Sequence, residues 1–239
     1  MNCKNCHTAI TQNYCPNCGQ PATLKRINSH YFQHEIEHFF HVERGIFFTA
    51  KELMIRPGLR IREFLTENRT KLVKPIVYLI ITSLIYAFFG KILHFDIGYI
   101  TVTGNAKENS IAQINDWVNK NYQYANLIIG LIVGSFVKLF FRKSVYNLSE
   151  ILIFYCYVIG QGMLVFSLFG IISWATKLEM AFAGIFSTLY GLFAVGQFFE
   201  GNKWVNYLKG LAAYLIGIIC FAFLVVGVGM AINFITKYK

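Results

Sequence analysis

Residues 148–176 read LSEILIFYCYVIGQGMLVFSLFGIISWAT, twenty-nine residues with one charge, Glu150, near the start. A helix of about 20 apolar residues crosses the ~30 Å hydrocarbon core of a bilayer, so this stretch is long enough to span one. Four further runs have the same character: 75–93, 122–141, 180–199 and 207–235. Backbone polar groups in lipid must be satisfied within the segment, which leaves helices or a closed barrel. Runs this continuous lack the alternation of barrel strands. The expected fold is therefore an all-α polytopic membrane protein with a five-helix transmembrane bundle.

Composition agrees with this reading. The 239 residues are 55% hydrophobic and 14% charged, against about 25% charged for an ordinary soluble domain. The 23 Phe and 14 Tyr add bulk that a soluble chain of this size could hardly bury. The formal charge of +10 comes from residues flanking the spans, where they face anionic lipid. They form no dense stripe, which argues against nucleic acid as a partner and for the lipid bilayer. The start of the sequence lacks the apolar region of a signal peptide.

The Lys/Arg distribution orients the chain. With the N-terminus inside, Arg60, Arg62, Arg69, Lys71, Lys74, Lys138, Arg142, Lys143, Lys203 and Lys209 lie on the cytoplasmic side. Only Lys91, Lys107, Lys120, Lys177, Lys237 and Lys239 lie opposite. Ten against six supports N-in and C-out. The longest connection, about 96–121, is polar and could carry a short helix near Trp117. Gly130 and Gly134, Ser187 and Gly191, and Ala213 and Gly217 are small pairs that let helices approach closely. They are read as packing within one bundle, with a homo-oligomer interface as the alternative. Glu150, Gln161, Gln197 and Asn233 are the intramembrane polar residues; Glu150 is read as an N-terminal residue of its helix, favoured by the dipole.

The chain divides into three zones: residues 1–20, residues 21–74 and residues 75–239. The first holds Cys3, Cys6, Cys15 and Cys18 in a C-x2-C-x8-C-x2-C arrangement. Four thiolates make a closed tetrahedral site for a structural Zn²⁺, with no open position for chemistry. So short a module cannot fold on buried apolar surface, and metal binding supplies its folding energy. Thiolate ligands favour a reducing compartment and hence a cytoplasmic ribbon; a pair of redox dithiols is the alternative. His7, beside a ligand cysteine, is read as a surface residue. No internal repeat is read along the chain.

The second zone is amphipathic. At 100° per residue, His30, His34, His38 and His41 fall within about 80° of one another, with Phe32, Ile36, Phe39 and Phe40 roughly opposite. Such a helix lies in the membrane interface or against the cytoplasmic end of the bundle. Gly45 ends it. A second stretch, FFTAKELMI, is stopped by Pro57–Gly58, and a third, LRIREFLTENRTKLV, leads into Pro75.

Within the stripe, HEIEH matches the H-E-x-x-H signature, with His34 and His38 as ligands and Glu35 as general base. No third ligand is evident, His94 falls on the opposite side of the membrane, and no catalytic fold surrounds the motif. The stripe is read as a solvated face. A second metal site on it is an alternative, and a membrane metalloprotease a further one.

The ribbon CKNCHTAITQNYCPNCG is followed by Arg26–Ile27, then HFFHVERGIFFTAKELMIRPG, IREFL and NRTKLVKP. From Cys3 to about Tyr78 this resembles domain-of-unknown-function family 3667, a bacterial membrane family seen mostly in Bacteroidetes-type bacteria. Gly45, Thr49, Leu53, Pro57, Gly58, Arg62, Arg69 and Pro75 occupy its pattern positions, and Asn68 stands where a glycine is usual. The resemblance implies an inner-membrane protein of unknown activity and carries over no catalytic residues. The expected function is a cytoplasmic zinc ribbon that recruits a protein partner or regulates the membrane domain; no reaction is read. A transporter of small solutes or lipids is the alternative beside the protease.

Overall fold

The computed structural model describes residues 1–23, 45–93, 118, 122–177, 179–199 and 204–237. The histidine stripe (His30, His34, His38, His41), its Glu35, and His94 lie outside the described residues, as does nearly all of the 96–121 connection and the side chain of Asn233. The described part is all-helical: α1 Ile46–Ile55, α2 Pro57–Thr66, α3 Pro75–Leu93, α4 Tyr122–Phe140, α5 Leu148–Thr176, α6 Ala181–Phe198 and α7 Trp204–Lys237. Helices α3, α5, α6 and α7 are long and apolar enough to cross a membrane, and α4 adds a shorter apolar stretch. The protein is a multi-pass membrane protein.

Local sequence sets the helix ends. Pro75 opens the first span, where a missing N–H costs nothing. Asn147 and Glu150 form a capping box at the start of α5: the Asn147 side chain accepts from Glu150 N at 2.9 Å, and Asn147 N donates to Glu150 Oε2 at 2.7 Å. The expectation for Glu150 therefore holds. The first cap helix ends at Ile55, just before Pro57–Gly58, as expected; the same two residues also open α2, with Arg56 alone between α1 and α2. The third stretch differs in one respect. It does not run on to Pro75; α2 ends at Thr66, and a turn carries the chain into the first span.

Helix α5 is the hub. It is 61% buried over its most apolar window, against 22% for α7, and α3, α4 and α6 all pack on it. Helix α4 in turn packs on α7, and α7 on α6, so that α4, α5, α6 and α7 form a closed ring with α3 outside. The small pairs work inside this ring. A Cβ on Gly130 would strike Ile159, and one on Gly134 would sit 3.2 Å from Leu152; both neighbours are on α5. A Cβ on Gly217 would meet Val133 of α4 at 2.5 Å. The faces turned away carry Leu84, Phe88, Leu131, Leu168, Leu189 and Phe223, all exposed, an apolar exterior of the kind lipid requires.

Helices α1 and α2 cap one end of the ring, where α3, α5 and α7 begin and α4 and α6 end. Leu53, Ile61 and Phe64 are buried in the same core as Tyr157 and Phe198 of the spans. Phe64 meets Tyr157 edge-on at 5.6 Å. Arg60 ties the two cap helices together, donating to Glu52 at 2.5 Å and Glu63 at 2.8 Å. Phe47 and Ile55 of α1 remain exposed.

Candidate metal centre and the cap beneath it

The N-terminal cysteines converge. Their four Sγ atoms lie within 4.8 Å of one another, with Cys3–Cys18, Cys6–Cys15 and Cys6–Cys18 each at 3.5 Å. All are free thiols, Cys3 and Cys15 buried. Bonds of about 2.3 Å to a tetrahedral centre place sulfurs about 3.8 Å apart, so the arrangement fits a metal ion. Among the described residues no other group of histidines, cysteines and carboxylates does.

The backbone explains the convergence. Cys3 N donates to Thr8 O at 2.9 Å and His7 N to Cys3 O at 2.9 Å; twelve residues on, Cys15 N donates to Gln20 O at 2.7 Å and Gly19 N to Cys15 O at 2.9 Å. Asn2 bridges Ala9 as Tyr14 bridges Pro21. The module is thus one knuckle used twice, a repeat not read from the sequence although the two C-x2-C pairs stand twelve residues apart. Both knuckles need a left-handed residue after the second cysteine. Gly19 has φ +71° and His7 has φ 60°. Glycine takes that conformation freely and His7 takes it at a cost. His7 is exposed, as expected of a surface residue.

The same knuckles tune the sulfurs. Backbone N–H groups of Cys6 and Asn5 hold the Cys3 thiol below its ordinary value. The Thr8 hydroxyl, 3.3 Å away, and its backbone N–H bring Cys6 down to about 6. Desolvation dominates at Cys15 and pushes it up to about 11, against the N–H groups of Cys18 and Asn17. Four sulfurs this close cannot all ionise without a cation among them. A metal of charge +2 would resolve that conflict.

The module rests on the cap. Gln20 Nε2 donates to Glu67 O at 2.6 Å, and Asn68 Nδ2 donates to Asn5 Oδ1 at 2.8 Å. Lys4 pairs with Glu67 at 3.5 Å in the open. Asn68, buried, also accepts from Thr70 N at 2.9 Å and Thr70 Oγ1 at 2.8 Å. Asn68 thus builds the turn with its side-chain oxygen and reaches the cysteine module with its amide nitrogen. Neither Asn5 nor Gln20 stands out in the sequence, because polar residues in a loop give no signal of what they touch.

From this turn, hydrogen bonds run into the bundle. Val73 N donates to Thr49 Oγ1 at 3.0 Å, and Tyr157 of α5 donates to Val73 O at 2.7 Å. Tyr190 of α6 donates to Leu53 O at 3.1 Å. Tyr78 donates to Gln161 Oε1, partnering a buried amide within the spans. Gln197 accepts from Gly58 N at 3.1 Å, capping α2, which has no side-chain cap of its own. Gly58 lies so close to Gln197 and Phe198 that a Cβ would overlap the backbone of α6. Thr49, Leu53, Pro57 and Gly58 thus have structural reasons to be what they are. No curated protein and no solved structure matches the chain. Residues 43–87, which take in both cap helices, the Asn68 turn and most of the first span but leave the cysteine module outside, match the model of a family described as Protein of unknown function (DUF3667).

Proposed function

We propose that the chain is a multi-pass protein of a bacterial inner membrane whose cytoplasmic zinc ribbon recruits a protein partner and, through the cap, regulates the membrane domain. One observation carries the reading: the ribbon grips, at Glu67 and Asn68, the turn that leads directly into the first span. A metal-held module in that position transmits a pull or a release to α3 and, through Val73, to α5. Zinc is the metal that a closed four-thiolate site favours. Thiolates and the surplus of basic residues beside the cap both favour the cytoplasm for that end.

The test compares zinc-loaded protein with chelator-treated protein in lipid nanodiscs by hydrogen–deuterium exchange. The expected result is one zinc per chain, and faster exchange over 67–78 once it is removed. Unchanged exchange there would overturn regulation through the cap. Partner capture unaltered by Cys15→Ser would overturn recruitment.

A further inference from the structure

The ring of α4, α5, α6 and α7 does not close on itself at its centre. It encloses a cavity of about 370 Å³, within the range of small-molecule sites. Lining residues run from Tyr155 to Phe166 on α5 and from Gly184 to Val195 on α6. At 1.5 Å per residue each stretch is about 16 Å long, half of the ~30 Å hydrocarbon core and so the depth of one leaflet.

The two ends of this space differ. Toward the cap it is shut: a Cβ on Gly210 of α7 would lie 2.9 Å from Val195 of α6, Gly196 lies under the Tyr207 ring, and Phe141 stacks on Phe199 at 3.9 Å. At the other end Gly184, within the first turn of α6, has nothing within 4 Å of where a Cβ would be. A space closed at one end holds a guest and does not conduct. Among the described residues none that lines it is charged, and most are apolar. Midway along, Thr188 Oγ1 and Tyr214 OH lie 3.3 Å apart and share one hydrogen bond. Two hydroxyls with one bond between them keep an O–H to offer.

We infer that this cavity is a binding site for one acyl chain of a membrane lipid. The chain enters at the Gly184 end and extends toward the Val195 floor, with its ester carbonyl or another acceptor oxygen within reach of the Thr188–Tyr214 pair. Length, apolar lining, the absence of charge and the single closed end all select a lipid chain over a polar solute. The site is independent of the ribbon, so its failure would leave the proposal for the ribbon standing.

The test uses the full chain in phosphatidylethanolamine nanodiscs containing a phospholipid with a diazirine midway along one acyl chain. After irradiation and digestion, adducts are expected on inward residues such as Gly162, Met163 and Ser187, as well as on the outward Leu189 and Phe223. Gly191→Leu places its side chain in the cavity, since its Cβ meets only Val158, at 3.8 Å. It should cut inward labelling about tenfold, the loss that corresponds to about 1.4 kcal/mol of binding, while outward labelling stays. Adducts confined to outward residues in the wild type would overturn the assignment, as would inward labelling that Gly191→Leu leaves unchanged. Should that variant fail to fold, the wild-type map decides alone.

Discussion

The two ends of the helical ring are built on different principles. At the cap end, aromatic rings stack, glycines bring backbones together, and Tyr157, Tyr190 and Gln197 bind main-chain groups of the cap. Toward the far end the same four helices stand apart around a cavity. The contrast teaches that small residues in a span license close approach without enforcing it. Gly58 of the cap and Gly196 of α6 lie against other backbone and ring atoms, whereas Gly184, in the same helix as Gly196, faces open space. What decides between them is whether a neighbouring element supplies something to fill the gap. The cap supplies it at one end, and a lipid chain is the proposed filler at the other.

The contrast can be broken most forcefully at the metal. Chelation of the native protein should make residues 1–22 sensitive to protease while far-ultraviolet circular dichroism of the bundle persists, because the module has little core beyond Ile10 and its own cysteines. Protease resistance surviving chelation would mean that docking alone holds it. Next in size is Gly58→Leu. Overlap with α6 should destabilise the detergent-solubilised protein by about 3 kcal/mol, read from denaturant unfolding, whereas Gly184→Ala should stay within about 0.5 kcal/mol. Equal effects at the two sites would erase the distinction between the ends. Tyr157→Phe removes the donor to Val73 O and should cost about 1–2 kcal/mol, since the buried carbonyl loses a partner. The smallest effect is expected from Lys4→Ala. Its pair with Glu67 is exposed, and its loss should fall below about 1 kcal/mol, with metal affinity by competition unchanged.

The spans were legible because each carries its own evidence, an apolar run long enough to cross, with Pro75 and Glu150 marking the start of two of them. The cluster of four cysteines was legible because its spacing is local. The cap was read only in part. Pro57–Gly58 marked the end of α1 but gave no sign that the same pair is the first turn of α2. The deciding partner, Gln197, lies 139 residues away, and no local pattern points to it. Gln197 itself seemed a stray amide in a span, because an N-terminal backbone group in need of an acceptor leaves no mark on the sequence. The cavity was hidden for a related reason. Gly130 and Gly191 each belong to a small-xxx-small pair and both line the cavity, yet a Cβ on the first would strike Ile159 and one on the second would have room.

The bond from Gly58 to Gln197 also bears on how the protein is made. A ribosome working at about 5–20 residues per second completes Gly58 roughly seven to thirty seconds before Gln197. Throughout that interval the first turn of α2 has no protein acceptor for its amide, and the bed against which Gly58 lies does not yet exist. The cap therefore reaches its final form only when the α6 span has been inserted, and it records in its own geometry that the membrane domain is nearly complete. A chain cut short before α6 would carry a metal module on an unfinished platform, a state that proteolysis could tell from the finished protein.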